Sequence, residues 1–149
     1  MAETTSHDTA GSVSGGLRTL LRLEGLALLA LMTAAYAVLG ESWWIYAVLF
    51  LAPDLSFAAY LAGPRAGAFV YNAAHSTIGP IMLAAAGFAL GPALVFSIAM
   101  IWLAHIGLDR ALGYGLKYSS GFGFTHLGRI GKQAAENLEA RLKAISRRP

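Results

Sequence analysis

Residues 66–108 contain no Asp, Glu, Lys or Arg. A soluble surface cannot be covered by so long an uncharged stretch. A helix crosses the hydrocarbon of a bilayer in about 20 residues. The run therefore reads as two membrane spans, with Gly91-Pro92 as the natural turn between them. The same reasoning over the rest of the chain predicts four spans, at 17–39, 43–61, 66–90 and 93–112. Charged residues make up 13% of the chain, against about 25% in soluble domains, which places the chain among membrane proteins.

The expected fold class is all-α: a polytopic membrane protein with four transmembrane helices plus a C-terminal amphipathic interfacial helix. Residues 1–16, rich in Ser, Thr and Gly, read as a disordered leader. They lack the basic start and short apolar core of a secretory signal. Residues 17–112 form the expected four-helix transmembrane bundle. Glu41 marks a turn, followed by Trp43 and Trp44 as an interfacial aromatic pair. Pro53 removes a backbone donor, so a kink is expected in the second span. Residues 113–131 hold many glycines and read as a cytoplasmic loop rather than a rigid helix. Residues 132–149 read as a basic amphipathic helix, because Ala134, Leu138, Leu142 and Ile145 recur at helical spacing.

Charge sets the orientation. Arg18, Arg22, Arg65, Arg110 and the tail fall on one side of the expected bundle, and the two opposite turns carry no Lys or Arg. The positive-inside rule then puts both termini in the cytoplasm. From Arg110 onward there are eight Lys/Arg and two Asp/Glu. Beside a membrane such a tail reads as an anchor on anionic lipid. Its basic run has no aromatic interleaving, so nucleic acid is not an expected partner. With no cysteine, disulfides and thiolate chemistry are excluded.

Each span carries polar groups that lipid would reject. Ionisable residues in a span are costly and face a bundle interior or a cavity. Glu24, Asp54, His75 and His105 come singly from the four spans, and Asp109 follows His105 by one turn. At about 1.5 Å per residue, Glu24 lies roughly 9 Å from the cytoplasmic end of its span, Asp54 and His75 roughly 13 Å, Asn72 near 9 Å and His105 roughly 8 Å. Asp109 is almost at the surface. One polar slab about a helical turn thick is expected.

Neutral imidazoles with carboxylates suit a divalent transition metal, Fe, Mn or Zn. Glu24, Asp54, His75, His105 and Asp109 are the candidate ligands. Asn72 or Tyr60 is expected to orient a ligating histidine. Arg110, Tyr114, Lys117 and His126 are candidates for substrate or headgroup contact. Each group also has an ordinary role open to it. His75 can bond a backbone carbonyl, Glu24 can pair with Arg22, and Asp54 can cap a broken helix. Asp109 and Arg110 can form a surface pair, while Lys117 and His126 can be solvated loop residues.

The chain resembles a bacterial family of small membrane proteins catalogued as domain of unknown function 4260. The resemblance rests on Leu21-Arg22-Leu23-Glu24-Gly25, Pro53-Asp54-Leu55-Ser56, Gly63-Pro64-Arg65-Ala66-Gly67-Ala68 and Tyr71-Asn72-Ala73-Ala74-His75. It rests most on His105-Ile106-Gly107-Leu108-Asp109-Arg110, continuing through Gly113-Tyr114-Gly115-Leu116-Lys117-Tyr118 to Thr125-His126-Leu127-Gly128. It covers residues 17–131 and implies a multi-pass protein of the bacterial cytoplasmic membrane. It implies no activity.

Three functions fit these residues. The first is a membrane metalloprotein, an enzyme acting on a lipid or small apolar molecule. The second is a proton- or ion-coupled small-solute carrier, expected to be a homo-oligomer because four short helices enclose only a narrow path. The third is a structural or partner-binding membrane subunit with the polar groups as interhelical glue. The clustering of polar groups in one half of the bundle favours a site over a path.

Overall fold

The computed structural model describes residues 11–39 and 42–146. The first ten residues of the leader, the turn at Glu41 and the terminal Arg147 and Arg148 lie outside the described residues. Helix α1 spans Gly15–Leu39, α2 Trp43–Phe50, α3 Pro64–His75, α4 Ile78–Leu90, α5 Ala93–Leu112 and α6 Lys132–Ser146. A 3-10 helix, Ala52–Ala62, follows α2, and a two-stranded hairpin, β1 Phe124–Thr125 and β2 Gly128–Arg129, precedes α6. Four helical stretches are long and apolar enough to cross a membrane: Gly15–Leu39, Trp43–Ala62, Pro64–Leu90 and Ala93–Leu112. The chain is an all-α, multi-pass membrane protein.

Helix α5 is the centre of the bundle. Half of its span (50%) is buried, against at most 17% for any other. It packs on α1, α4 and α2. Small residues make this possible. A Cβ added at Gly107 would stand 2.6 Å from the Leu29 backbone nitrogen, and one at Gly25 would stand 2.8 Å from that of Ala111. The two helix backbones are therefore nearly in contact, as in membrane bundles where packing replaces the hydrophobic drive. Farther along, Tyr36 of α1 packs with Ala99, Met100, Ile101 and Leu103. Outward, Val38, Phe88 and Leu61 are 86%, 86% and 94% exposed. Large apolar side chains so exposed on the three outer spans fit lipid as the surrounding solvent.

Two spans are broken. The second is α-helical only to Phe50 and then runs as eleven residues of 3-10 helix. The tighter winding begins where Pro53 removes a donor and Asp54 N bonds Leu51 O at 3.2 Å, an i to i+3 bond. The third, expected to be continuous, is interrupted after His75. Ser76 is extended, and its hydroxyl accepts a bond from Ile78 N at 3.2 Å. Pro80 supplies the cause, since its ring would clash with the Ser76 carbonyl in a continuous helix.

The glycine-rich segment is no helix but an ordered hairpin. Phe124 pairs with Arg129, Thr125 with Gly128, and Lys117 bridges to Thr125. The last part of the leader is tied to it. Val13 N donates to His126 O at 2.9 Å and the Tyr118 hydroxyl to Gly11 O at 2.7 Å. Helix α1 begins at Gly15, inside the stretch read as leader.

Candidate metal centre

The two breaks and the central helix meet at one place. Helix α5 presents His105 and Asp109 one turn apart. Helix α3 ends on His75, and the first turn of the 3-10 helix presents Asp54. His105 Nε2 lies 3.2 Å from His75 Nε2. His75 Nε2 lies 3.4 Å from Asp109 Oδ2 and 3.6 Å from Asp54 Oδ1, and His105 Nε2 also lies 3.6 Å from Asp54 Oδ1. One ligand atom from each of the four falls within 4.8 Å of all the others. A tetrahedral ion with bonds of about 2.1 Å has ligand-to-ligand edges of about 3.4 Å. The four groups could hold a metal ion.

Hydrogen bonds outside the cluster orient it. His75 Nδ1 lies 2.9 Å from the Tyr71 carbonyl. A carbonyl only accepts, so Nδ1 carries the proton and the neutral ring turns a lone pair at Nε2 inward. The Tyr71 hydroxyl donates to Asp109 Oδ2 at 2.8 Å. The Tyr71 ring also stacks on His75, with centroids 3.7 Å apart. His105 is fixed by packing instead: its ring meets Phe50 edge-on at 5.4 Å, and its Nδ1 is buried without a partner among the described residues.

Proton count narrows what can occupy the centre. Two imidazolium groups would point N–H bonds at each other across 3.2 Å, which is repulsive. The histidine pair thus holds at most one inward proton. Two carboxylates face it, so full charge balance by histidine protons is not available. A divalent cation with two neutral histidines and two aspartates would make this four-residue cluster neutral, while Lys117 in the same cavity is another cation within reach of Asp109.

The cluster forms part of the wall of a cavity of about 380 Å³. Asp54, His105, Asp109 and Lys117, with Tyr71 and Tyr114, supply its polar groups; Phe50, Leu51, Phe57, Leu108, Leu112 and Phe122 are among its apolar ones. Lys117 is buried, not a solvated loop residue. Its Nζ donates to Phe122 O at 3.2 Å and lies 3.8 Å from the Phe122 ring centroid and 4.6 Å from that of Tyr71. Burial pulls its pKa down to about 8, against the opposing pull of Asp109. Tyr114 lines the same cavity and is half-exposed.

The remaining candidates lie elsewhere. Glu24 is exposed and lines a second cavity, of about 330 Å³, with Arg110 and His126. Its neighbour Gly25 takes the position facing α5, which turns Glu24 away from the centre. His126 Nδ1 accepts a bond from Leu116 N at 2.8 Å, and burial lowers its pKa. Among the described residues the hydrogen bonds of Asn72 go to no histidine. Its side chain clamps the Lys117 backbone, accepting from N at 2.7 Å and donating to O at 2.8 Å. Tyr60 packs over Gly67, and its hydroxyl has no hydrogen-bond partner among the described residues. The orienting role falls to Tyr71, which the sequence reading passed over. Its signal was the four-residue spacing to His75 on one helix face.

A family model described as a domain of unknown function, DUF4260, matches residues 18–130, and the chain belongs to that family. No curated protein and no solved structure matches the chain.

Proposed function

We propose that this member of the DUF4260 family holds one divalent transition-metal ion, Fe, Mn or Zn, between Asp54, His75, His105 and Asp109. The ion serves chemistry on a lipid or small apolar molecule in the adjoining cavity. The observation that carries the reading is the approach of the two Nε2 atoms to 3.2 Å between two aspartates. A single ion satisfies all four groups at once. A bound ion of this kind would polarise a substrate oxygen or activate water, and Asp54, His105 and Asp109 would hold it at the cavity wall. In this reading the protein sits in a bacterial cytoplasmic membrane with both termini inside, an orientation that its arginine distribution supports.

A transmembrane proton or ion path is less well supported. Away from the arginine-bearing end, the polar groups among the described residues include the Thr33–Tyr46 hydroxyl pair and the buried Ser97 hydroxyl. Neither continues the carboxylate–imidazole chain.

Elemental analysis of the purified protein beside a His75→Ala/His105→Ala double variant tests the metal reading. About one equivalent of Fe, Mn or Zn in the native chain, lost in the variant, is expected. Native protein that stays metal-free after reconstitution with each ion would overturn it.

A further inference from the structure

The cavity holds one charge that the metal reading leaves unused. Lys117 is only 4% exposed. The ion pairs found among the described residues join histidine to aspartate and leave Lys117 out. An ammonium has three donors; one goes to Phe122 O, and aromatic faces take up part of the rest. Such faces stabilise a cation but do not neutralise it, and a buried charge without a counter-ion is costly. Two of the leucines that line the cavity beside it are exposed, Leu51 at 62% and Leu112 at 56%. An anionic head against Lys117 therefore comes with an apolar way in.

We propose that this cavity binds a single-chain amphiphile with an anionic oxygen head, a carboxylate or a phosphate. Lys117 Nζ holds the head, and the chain runs past Leu112 toward Leu51 and into the bilayer. This deepens the metal reading and rests on it in one respect. Asp54 and Asp109 line the same space, and an ion between them cancels the repulsion they would exert on the head.

The test uses metal-loaded, full-length protein in zwitterionic nanodiscs, with metal counted in every sample. Decanoate, decyl phosphate and decanol are titrated into native protein and a Lys117→Met variant. At least one of the two acids is expected to bind one per chain, and at least tenfold more weakly to the variant at unchanged metal content. Decanol is expected to bind both alike. In the native chain, the acid but not the alcohol is expected to protect the Lys117 amine from acylation, a readout that needs no variant. Preference for decanoate identifies a free acid, and preference for decyl phosphate a phosphate head; either supports the proposal. Equal binding of acids and alcohol, or acid binding unchanged in Lys117→Met with the metal in place, overturns it. Absence of metal would instead overturn the metal centre, and the dependence of acid binding on Lys117 would be read from the same titration.

Discussion

Tyr71 reaches the centre twice, through its carbonyl to His75 and through its hydroxyl to Asp109. Only the second can be removed by mutation without touching the main chain. Tyr71→Phe keeps the ring stacked on His75 and frees Asp109 to rotate. Loss of such an orienting bond costs about 10–100-fold in metal affinity. Competition with a chelator of known affinity measures it, and unchanged affinity would mean that packing alone sets Asp109. Lys117 gives a pH dependence. Its folded pKa of about 8 lies below the ordinary 10.5, so between these values the unfolded state binds more protons. Stability therefore rises with pH across that window and is lowest below about 8, where both states are charged. Native protein compared with Lys117→Met at pH 7.5 and 10 isolates the effect: the native deficit should shrink at the higher pH. At this scale, His75, His105, Asp54 and Asp109 were legible because each is an ionisable group in an apolar span. Glu24 met the same criterion and still points elsewhere, because the facing of a single residue on α1 depends on where Gly25 contacts α5.

Between elements, the decisive contact is the clamp of Asn72 on Lys117. Helix α3 grips the segment before β1 by two bonds to one residue's backbone, and that grip lays the Lys117 side chain into the cavity. Asn72→Ala leaves a backbone donor and acceptor unpaired, at a cost of about 1–3 kcal/mol. Limited proteolysis and thermal unfolding together check it: faster cleavage within 113–131 and a lower midpoint are expected, with metal content retained. A clamp of this kind cannot be read from the sequence, because Asn72 and Lys117 are distant in the chain and neither has a periodic signature. The break after His75 was closer to legible. Pro80 lay within the expected third span, and a proline in a helix acts on the residue four before it, which here is Ser76. The kink at Pro53 was read from that same rule. The two prolines thus place Asp54 and His75 at helix discontinuities, where a side chain can reach inward without fitting a regular turn.

Across the whole molecule, exposed apolar surface is answered by lipid, and α6 continues that pattern outside the bundle. Leu138, Leu142 and Ile145 lie at helical spacing on one side of α6, and each is more than half exposed. The sequence of this segment supplies Lys132, Arg141 and Lys143, and the chain after it Arg147 and Arg148, against Glu136 and Glu139. An apolar stripe in a basic segment suits the headgroup region of an anionic leaflet, where each Lys or Arg contributes about 1 kcal/mol. The arginines of α1 and the end of α5 lie at the same end of the bundle, so α6 can lie down without reversing the chain. Amide exchange on the full chain in nanodiscs tests this. Protection across Lys132–Ser146 is expected in anionic lipid, and should weaken in zwitterionic lipid and at high salt because exposed charges are screened. A chain ending at Gly131 should keep its metal, since every proposed ligand lies in the bundle. Equal exchange in both lipids would mean that α6 is held by something other than membrane charge.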